Sequence, residues 1–139
     1  MWENEMIRYA DIQDFSVLKE HDRHISEAEL KNSIAAKRII IMHQGDAFMG
    51  WLRFGLFWDN IPFMNMLYIL EEHRGQGRGT ELAAFWEAEM SRAGYGWVMT
   101  STQSDERAQF FYRKLGYCEC GALLLPKEPL EMLFIKELR

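Results

Sequence analysis

The stretch Leu67-Tyr68-Ile69-Leu70-Glu71-Glu72-His73-Arg74-Gly75-Gln76-Gly77-Arg78-Gly79-Thr80 constrains this chain more than any other. It begins inside residues 63–70, an almost continuous apolar run of strand length. After it, Leu82, Phe85, Trp86, Met90 and Ala93 recur at i, i+3, i+4 spacing until Gly94 supplies a stop. A buried strand thus passes through a glycine turn directly into the longest helix. Glycines let a backbone turn tightly and bring its N–H groups close to a ligand, and a helix N-terminus carries about half a positive charge. Arg74 and Arg78 add cationic forks and Thr80 a hydroxyl, so the stretch reads as a phosphate-binding turn.

Rival phosphate loops fit poorly. A Walker loop needs a Gly-Lys pair that is absent. A Rossmann fingerprint starting at Gly75 and Gly77 needs Gly or Ala where Thr80 stands, and Thr100-Ser101-Thr102 ends the next strand without an acidic ribose partner. The bland alternative is a helix entry whose glycines serve close packing, and the two arginines weigh against it.

Around this stretch the pattern alternates. Residues 6–10 read as a first strand; Asp11 caps a helix carrying Ile12, Phe15 and Leu18, and Ser26-Glu27-Ala28-Glu29 forms a capping box for a second. Residues 38–43 and 47–57, joined by Gln44-Gly45-Asp46, predict a hairpin, and Trp58 to Pro62 break before the central strand. Residues 97–101 predict another strand. Ser104 then caps a helix with Ala108, Phe111, Tyr112 and Leu115 on one face, and residues 117–125 and 130–138 form the last two strands. This order predicts one α/β domain over residues 1–139, a three-layer α/β/α arrangement around a mixed, mostly antiparallel sheet.

With 139 residues, two separate cores would each be marginal. The net charge of −5 argues against a nucleic-acid partner and favours a cationic small molecule. Cys118 and Cys120 stand at i, i+2 with no zinc or CxxC pattern; they read as reduced, in a cytoplasmic compartment, and no metal site is expected. The start, Met1 to Glu5, lacks a signal-peptide pattern, and no apolar run approaches the roughly 20 residues of a membrane helix. Monomer and homodimer both remain open.

Arg74-x-x-Gly77-x-Gly79 resembles the R/Q-x-x-G-x-G/A signature of the GNAT N-acetyltransferase superfamily, and Phe110-Phe111-Tyr112-Arg113-Lys114-Leu115-Gly116-Tyr117 resembles its second signature. The resemblance implies a splayed, GNAT-like central sheet with acetyl-CoA as co-substrate. Backbone groups of Leu67 and Ile69 would then hold the pantetheine arm, with the Ile69 N–H polarising the thioester carbonyl. Arg74, Gly75, Gln76, Gly77, Arg78, Gly79 and Thr80 would hold the pyrophosphate. Tyr112 matches the tyrosine that protonates the departing thiolate, although periodicity alone makes it a core residue. Asp105 stands where many members carry Asn; as a carboxylate it only accepts, which sets its cofactor contact apart from theirs. The implied function is acetyl transfer to a primary amine of a small molecule, peptide or protein, the alternative being a non-catalytic acyl-CoA-binding module.

An amine with a pKa of about 10.4 is neutral in only about one molecule in a few thousand at pH 7, so transfer needs a base or a water path. The strand at 63–70 has no carboxylate. Glu71, Glu72, and Asn65 as a water holder are one set of options; His21, Asp22 and His24, which the resemblance puts beside the acceptor groove, are another, each reading first as a solvated surface residue. Trp51, Trp58, Phe63 and Met64 divide between core and pocket wall, and Asp59 is a candidate contact for an ammonium group.

Overall fold

The computed structural model describes residues 5–139. The segment Met1–Asn4, read above for a leader, lies outside the described residues. Strand β1 (Glu5–Tyr9) leads through a 3-10 turn (Ile12–Asp14) to α1 (Phe15–His21) and α2 (Glu27–Ala35). Then come β2 (Ile39–Gln44), β3 (Ala47–Phe57), β4 (Ile61–Ile69), α3 (Arg78–Arg92), β5 (Trp97–Gln103), α4 (Ala108–Lys114), β6 (Cys118–Leu123) and β7 (Glu131–Glu137). The sheet is open and seven-stranded in the order β1-β2-β3-β4-β5-β7-β6. The pairs β1/β2, β2/β3, β5/β7 and β6/β7 are antiparallel, whereas β4 and β5 run parallel. This is the mixed α/β sheet that the alternating pattern predicts.

The local chemistry explains most boundaries. The Asp11 carboxylate accepts from Gln13 N–H and its own N–H donates to Asp14, closing a capping box on the 3-10 turn that precedes α1. Ser26 accepts from Glu29 N–H and starts α2. Gly94, at φ +99°, ends α3, with Tyr95 N–H reaching back to Met90 C=O. Ser104 does not cap α4 as expected. The N-cap is Arg107, without a side-chain bond, because residues 103–106 close a turn of their own: Glu106 N–H donates to Gln103 C=O and its carboxylate accepts from Gln103 N–H. Ala108 is consequently exposed, while Phe111, Tyr112 and Leu115 turn inward.

The chain forms two compact units. The first comprises residues up to Phe54 with Met66–Trp86. Alternation along β2 and β3 sends Ile39, Ile41 and Trp51 to one face, against Leu18 of α1 and Leu30 and Ile34 of α2. The opposite face meets α3, with Phe54 packed on Trp86 and Tyr9 on Phe85. Helices on both faces give this unit its three layers. The second unit, Gly55–Asn65 with Glu87–Arg139, is built on β5, β7 and β6. Glu87 ties it together, accepting from the Tyr117 hydroxyl and from Lys136, each at 2.8 Å. Cys118 and Cys120 are free and exposed on β6. No helix among the described residues is long and apolar enough to cross a membrane.

Candidate functional site

The unusual feature of the sheet is how little β4 and β5 share. Their ladder holds only Phe63↔Met99 and Met64↔Thr100, reinforced by the Thr100 hydroxyl donating to Met64 C=O at 2.9 Å. Leu70 N–H donates to Met49 C=O, and Tyr68 C=O lies over Gly50, so even-numbered residues at this end of β4 face β3. By alternation the N–H and C=O groups of Leu67 and Ile69 point away from β3. A Cβ on Gly50 would stand 2.5 Å from Tyr68 O and 2.7 Å from Ile69 Cδ1, so only glycine lets β3 approach β4 here.

Beyond Ile69, a 3-10 turn (Glu71–His73) delivers the chain to the glycine loop. Gly75 and Gly77 adopt φ of +82° and +81°, values that L side chains rarely reach, and residues 74–77 are exposed. The first α3 bond runs from Glu81 N–H to Gly77 C=O. The N–H groups of Gly79 and Thr80 therefore belong to the first turn, directed outward with the positive end of the helix dipole.

The two arginines do different work. Arg74 folds back: its Nε donates to Ile69 C=O at 2.7 Å and its guanidinium lies 4.9 Å from the Tyr68 ring centre. Arg78, the second cationic fork, is buried. Its Nη1 donates to Gln76 Oε1 at 2.7 Å and His73 C=O at 3.2 Å, and its Nε meets Glu5 at 3.3 Å. The guanidinium braces the loop from beneath. Burial, with Glu81 alongside, raises the Glu5 carboxyl above its ordinary range, while Arg78 works against the rise.

In the second unit, Tyr112 is only 7 % exposed. Its phenol meets the Thr100 side chain, the residue that closes the β4/β5 ladder. Burial, reinforced by the Glu106 charge, pushes its pKa up to about 12 against the opposing effect of Thr100. Tyr112 and Tyr117 pack edge to face at 5.6 Å. Asp105 is exposed in the turn before α4.

The other candidates separate clearly. Within the first unit a groove of about 430 Å³ opens on the outer face of β4, walled by Trp51, Met66, Tyr68 and Leu70 and rimmed by His21 and His24. Asp22, between those histidines, is not solvated: it is 3 % exposed and accepts from Arg53 at 2.7 and 3.3 Å and from Trp51 Nε1 at 3.1 Å. Its lone pairs are spoken for. Arg53 was missed from the sequence, although an arginine inside an apolar strand demands a buried partner and was itself the signal. Glu71 and Glu72 lie in the 3-10 turn, exposed. Asn65, Phe63 and Met64 belong to the second unit, where Asn65 and Phe63 border a separate hollow of about 440 Å³. Trp58 and Asp59 form the β3–β4 turn, with Trp58 77 % exposed.

Comparison with known proteins identifies a family and a shared fold. The model of the Acetyltransferase (GNAT) family matches residues 4–117. No curated protein sequence matches the chain. Among solved structures, Ard1 from Thermoplasma volcanium superposes with a TM-score of 0.82 at 12% identity, over 96% of this chain and 97% of that one. The Escherichia coli ribosomal-protein-S18-alanine N-acetyltransferase gives 0.80 at 13%, covering 96% and 94%. The Salmonella typhimurium protein yncA, solved with its cofactor acetyl-CoA, gives 0.77 at 16%, covering 99% and 95%. At such identities these structures establish a shared fold.

Proposed function

The chain belongs to the GNAT acetyltransferase family, whose co-substrate is acetyl-CoA, and from that premise we propose that it transfers an acetyl group to a primary amine by direct attack on the thioester. The observation that carries this reading is the early end of the β4/β5 ladder. Leu67 and Ile69 are not in that ladder, and they stand immediately before a glycine loop and a helix N-terminus. A pantetheine arm has two amide groups and needs an unpaired strand edge; a pyrophosphate needs outward N–H groups with little steric cover. The Ile69 C=O accepts from Arg74, and the Ile69 N–H is the donor that would polarise the thioester carbonyl.

In this reading Arg74 to Gly77 and the first turn at Arg78, Gly79 and Thr80 hold the pyrophosphate, largely through backbone N–H groups, with Arg78 positioning the loop. Asp105 can accept one hydrogen bond from the cofactor arm. Tyr112 donates its proton to the departing thiolate, a role its raised pKa suits by keeping the phenol protonated across the neutral range. Titration calorimetry with acetyl-CoA, ATP and NAD tests the donor site; tight binding of either nucleotide without a CoA response rejects it. A thiol-release assay over an amine panel separates an enzyme from a binding module, which would bind CoA and release none.

A further inference from the structure

Removing the ammonium proton is the step that the donor site does not provide. We propose that Nε2 of His21 is the base that takes this proton in the groove on the outer face of β4, an inference that rests on the acetyltransferase reading above. The first support is the tautomer. His21 Nδ1 lies 2.9 Å from Val17 C=O, and since a carbonyl can only accept, Nδ1 carries hydrogen. In the neutral ring the lone pair is then on Nε2. The second support is fixation: the ring packs against Phe48 at 5.1 Å and Trp51 at 6.3 Å between centres. A base whose other nitrogen is anchored and whose plane is held by aromatic walls is already oriented for proton transfer.

The third support is the surroundings. His21 shares the groove with Met66, Tyr68 and Leu70, so it opens on the same stretch of β4 that carries the Ile69 backbone. The charged and titratable groups facing it are few. Glu20 stands 3.8 Å from Nε2 and can attract a cationic amine; Arg23 and His24 sit on the rim, and Tyr68 lies across the groove under Arg74. Asp22 and Arg53 neutralise one another beneath. His24 is exposed, and its ring has neither a hydrogen bond nor an aromatic contact among the described residues. The Trp51 and Tyr68 rings suit an ammonium or an aromatic amine.

The step balances without another reagent. His21 Nε2 takes one proton from R–NH3⁺; the freed lone pair forms the C–N bond at the thioester carbonyl, and the C–S bond breaks with its electron pair going to sulfur. Sulfur takes a proton from Tyr112. The second nitrogen proton restores Tyr112 through solvent, the third stays on the amide, and His21 discharges to water, so one proton is released per turnover.

Two variants separate a base from a helix anchor. His21→Asn places an amide N–H where Nδ1 stood and keeps the bond to Val17, whereas His21→Gln places an amide at the Nε2 position and abandons that bond. Rates with 2-phenylethylamine, spermidine and trialanine are followed by thiol release from pH 6 to 10. Expected is a drop in kcat/KM of about 100-fold for both variants at pH 7, shrinking towards pH 10 as the ammonium loses its proton to solvent unaided, with CoA binding unchanged. Wild-type rates in His21→Asn, or a deficit equal at every pH, overturn the proposal. A wild-type protein that binds CoA yet acetylates none of the three amines overturns the transferase reading itself and the base with it.

Discussion

At the residue scale, Tyr112 joins burial to chemistry. Periodicity makes it a core residue and the motif resemblance proposes it as an acid; the ring is buried and the hydroxyl meets Thr100 at the last rung of the β4/β5 ladder. Tyr112→Phe keeps the ring and its packing on Tyr117 and removes only the proton donor. We expect kcat to fall by about 100-fold, with the affinity for acetyl-CoA within twofold of wild type. Steady-state kinetics beside calorimetry checks this, and full turnover would remove Tyr112 from the mechanism. The same residue sets a pH limit. Its folded pKa of about 12 exceeds the ordinary tyrosine value of about 10, so between these pH values the folded chain holds a proton that the unfolded chain has lost. Stability from this group is complete below pH 10 and lost as pH rises to 12, by about 2–3 kcal/mol. Tyr117, raised in the same direction chiefly by burial and then by Glu87, adds to the loss. Urea midpoints measured across that window should therefore fall in wild type, and Tyr112→Phe should fall less steeply.

At the element scale, the close spacing of β3 and β4 at Gly50 fixes the position of Ile69, the proposed donor contact. A methyl at position 50 collides with Tyr68 O and comes within 3.1 Å of Ile69 Cα, both backbone atoms that no rotamer change can move. Gly50→Ala should cost about 1–3 kcal/mol of stability and, by displacing Ile69, weaken acetyl-CoA binding by more than Tyr112→Phe does. Urea unfolding and calorimetry measure both; unchanged CoA affinity would detach the strand edge from donor binding. Elements of this kind were legible in the sequence where local chemistry decides them. The apolar run, the glycines and the periodic helix announce β4, its loop and α3, and Asp11 and Ser26 announce their caps. What stayed hidden depends on partners far along the chain. Arg78 gave no hint of burial because its neighbours are glycines and its counter-charge, Glu5, is 73 residues away. Asp22 looked solvated because Arg53 is 31 residues away. Ser104 looked like a cap until Gln103 and Glu106 closed a competing turn. The shortness of the β4/β5 ladder has no local signal at all, since a strand edge left for a ligand and one left for another strand have the same sequence.

At the scale of the whole molecule, charge sets an asymmetry between the two substrates. The chain carries −5 at neutral pH, and acetyl-CoA is itself a polyanion, so the long-range field opposes the donor and draws in a cationic acceptor. In the proposed donor site, binding then rests on short-range groups: outward N–H groups, the helix dipole and Arg74. These act within a few ångströms, inside the Debye length of about 10 Å at 0.1 M salt, whereas the field of the net charge extends beyond it. Raising ionic strength from about 20 to 200 mM should consequently raise KM for spermidine several-fold while leaving KM for acetyl-CoA level or lowering it by less than about twofold, because for CoA the short-range attraction is little screened and only the long-range repulsion weakens. Steady-state kinetics with each substrate varied in turn at fixed pH measures this. A steep loss of CoA affinity with salt would mean that clustered cations, rather than backbone N–H groups, hold the pyrophosphate. The Arg78 guanidinium would then have to reach the phosphates itself, at the expense of its pairing with Glu5.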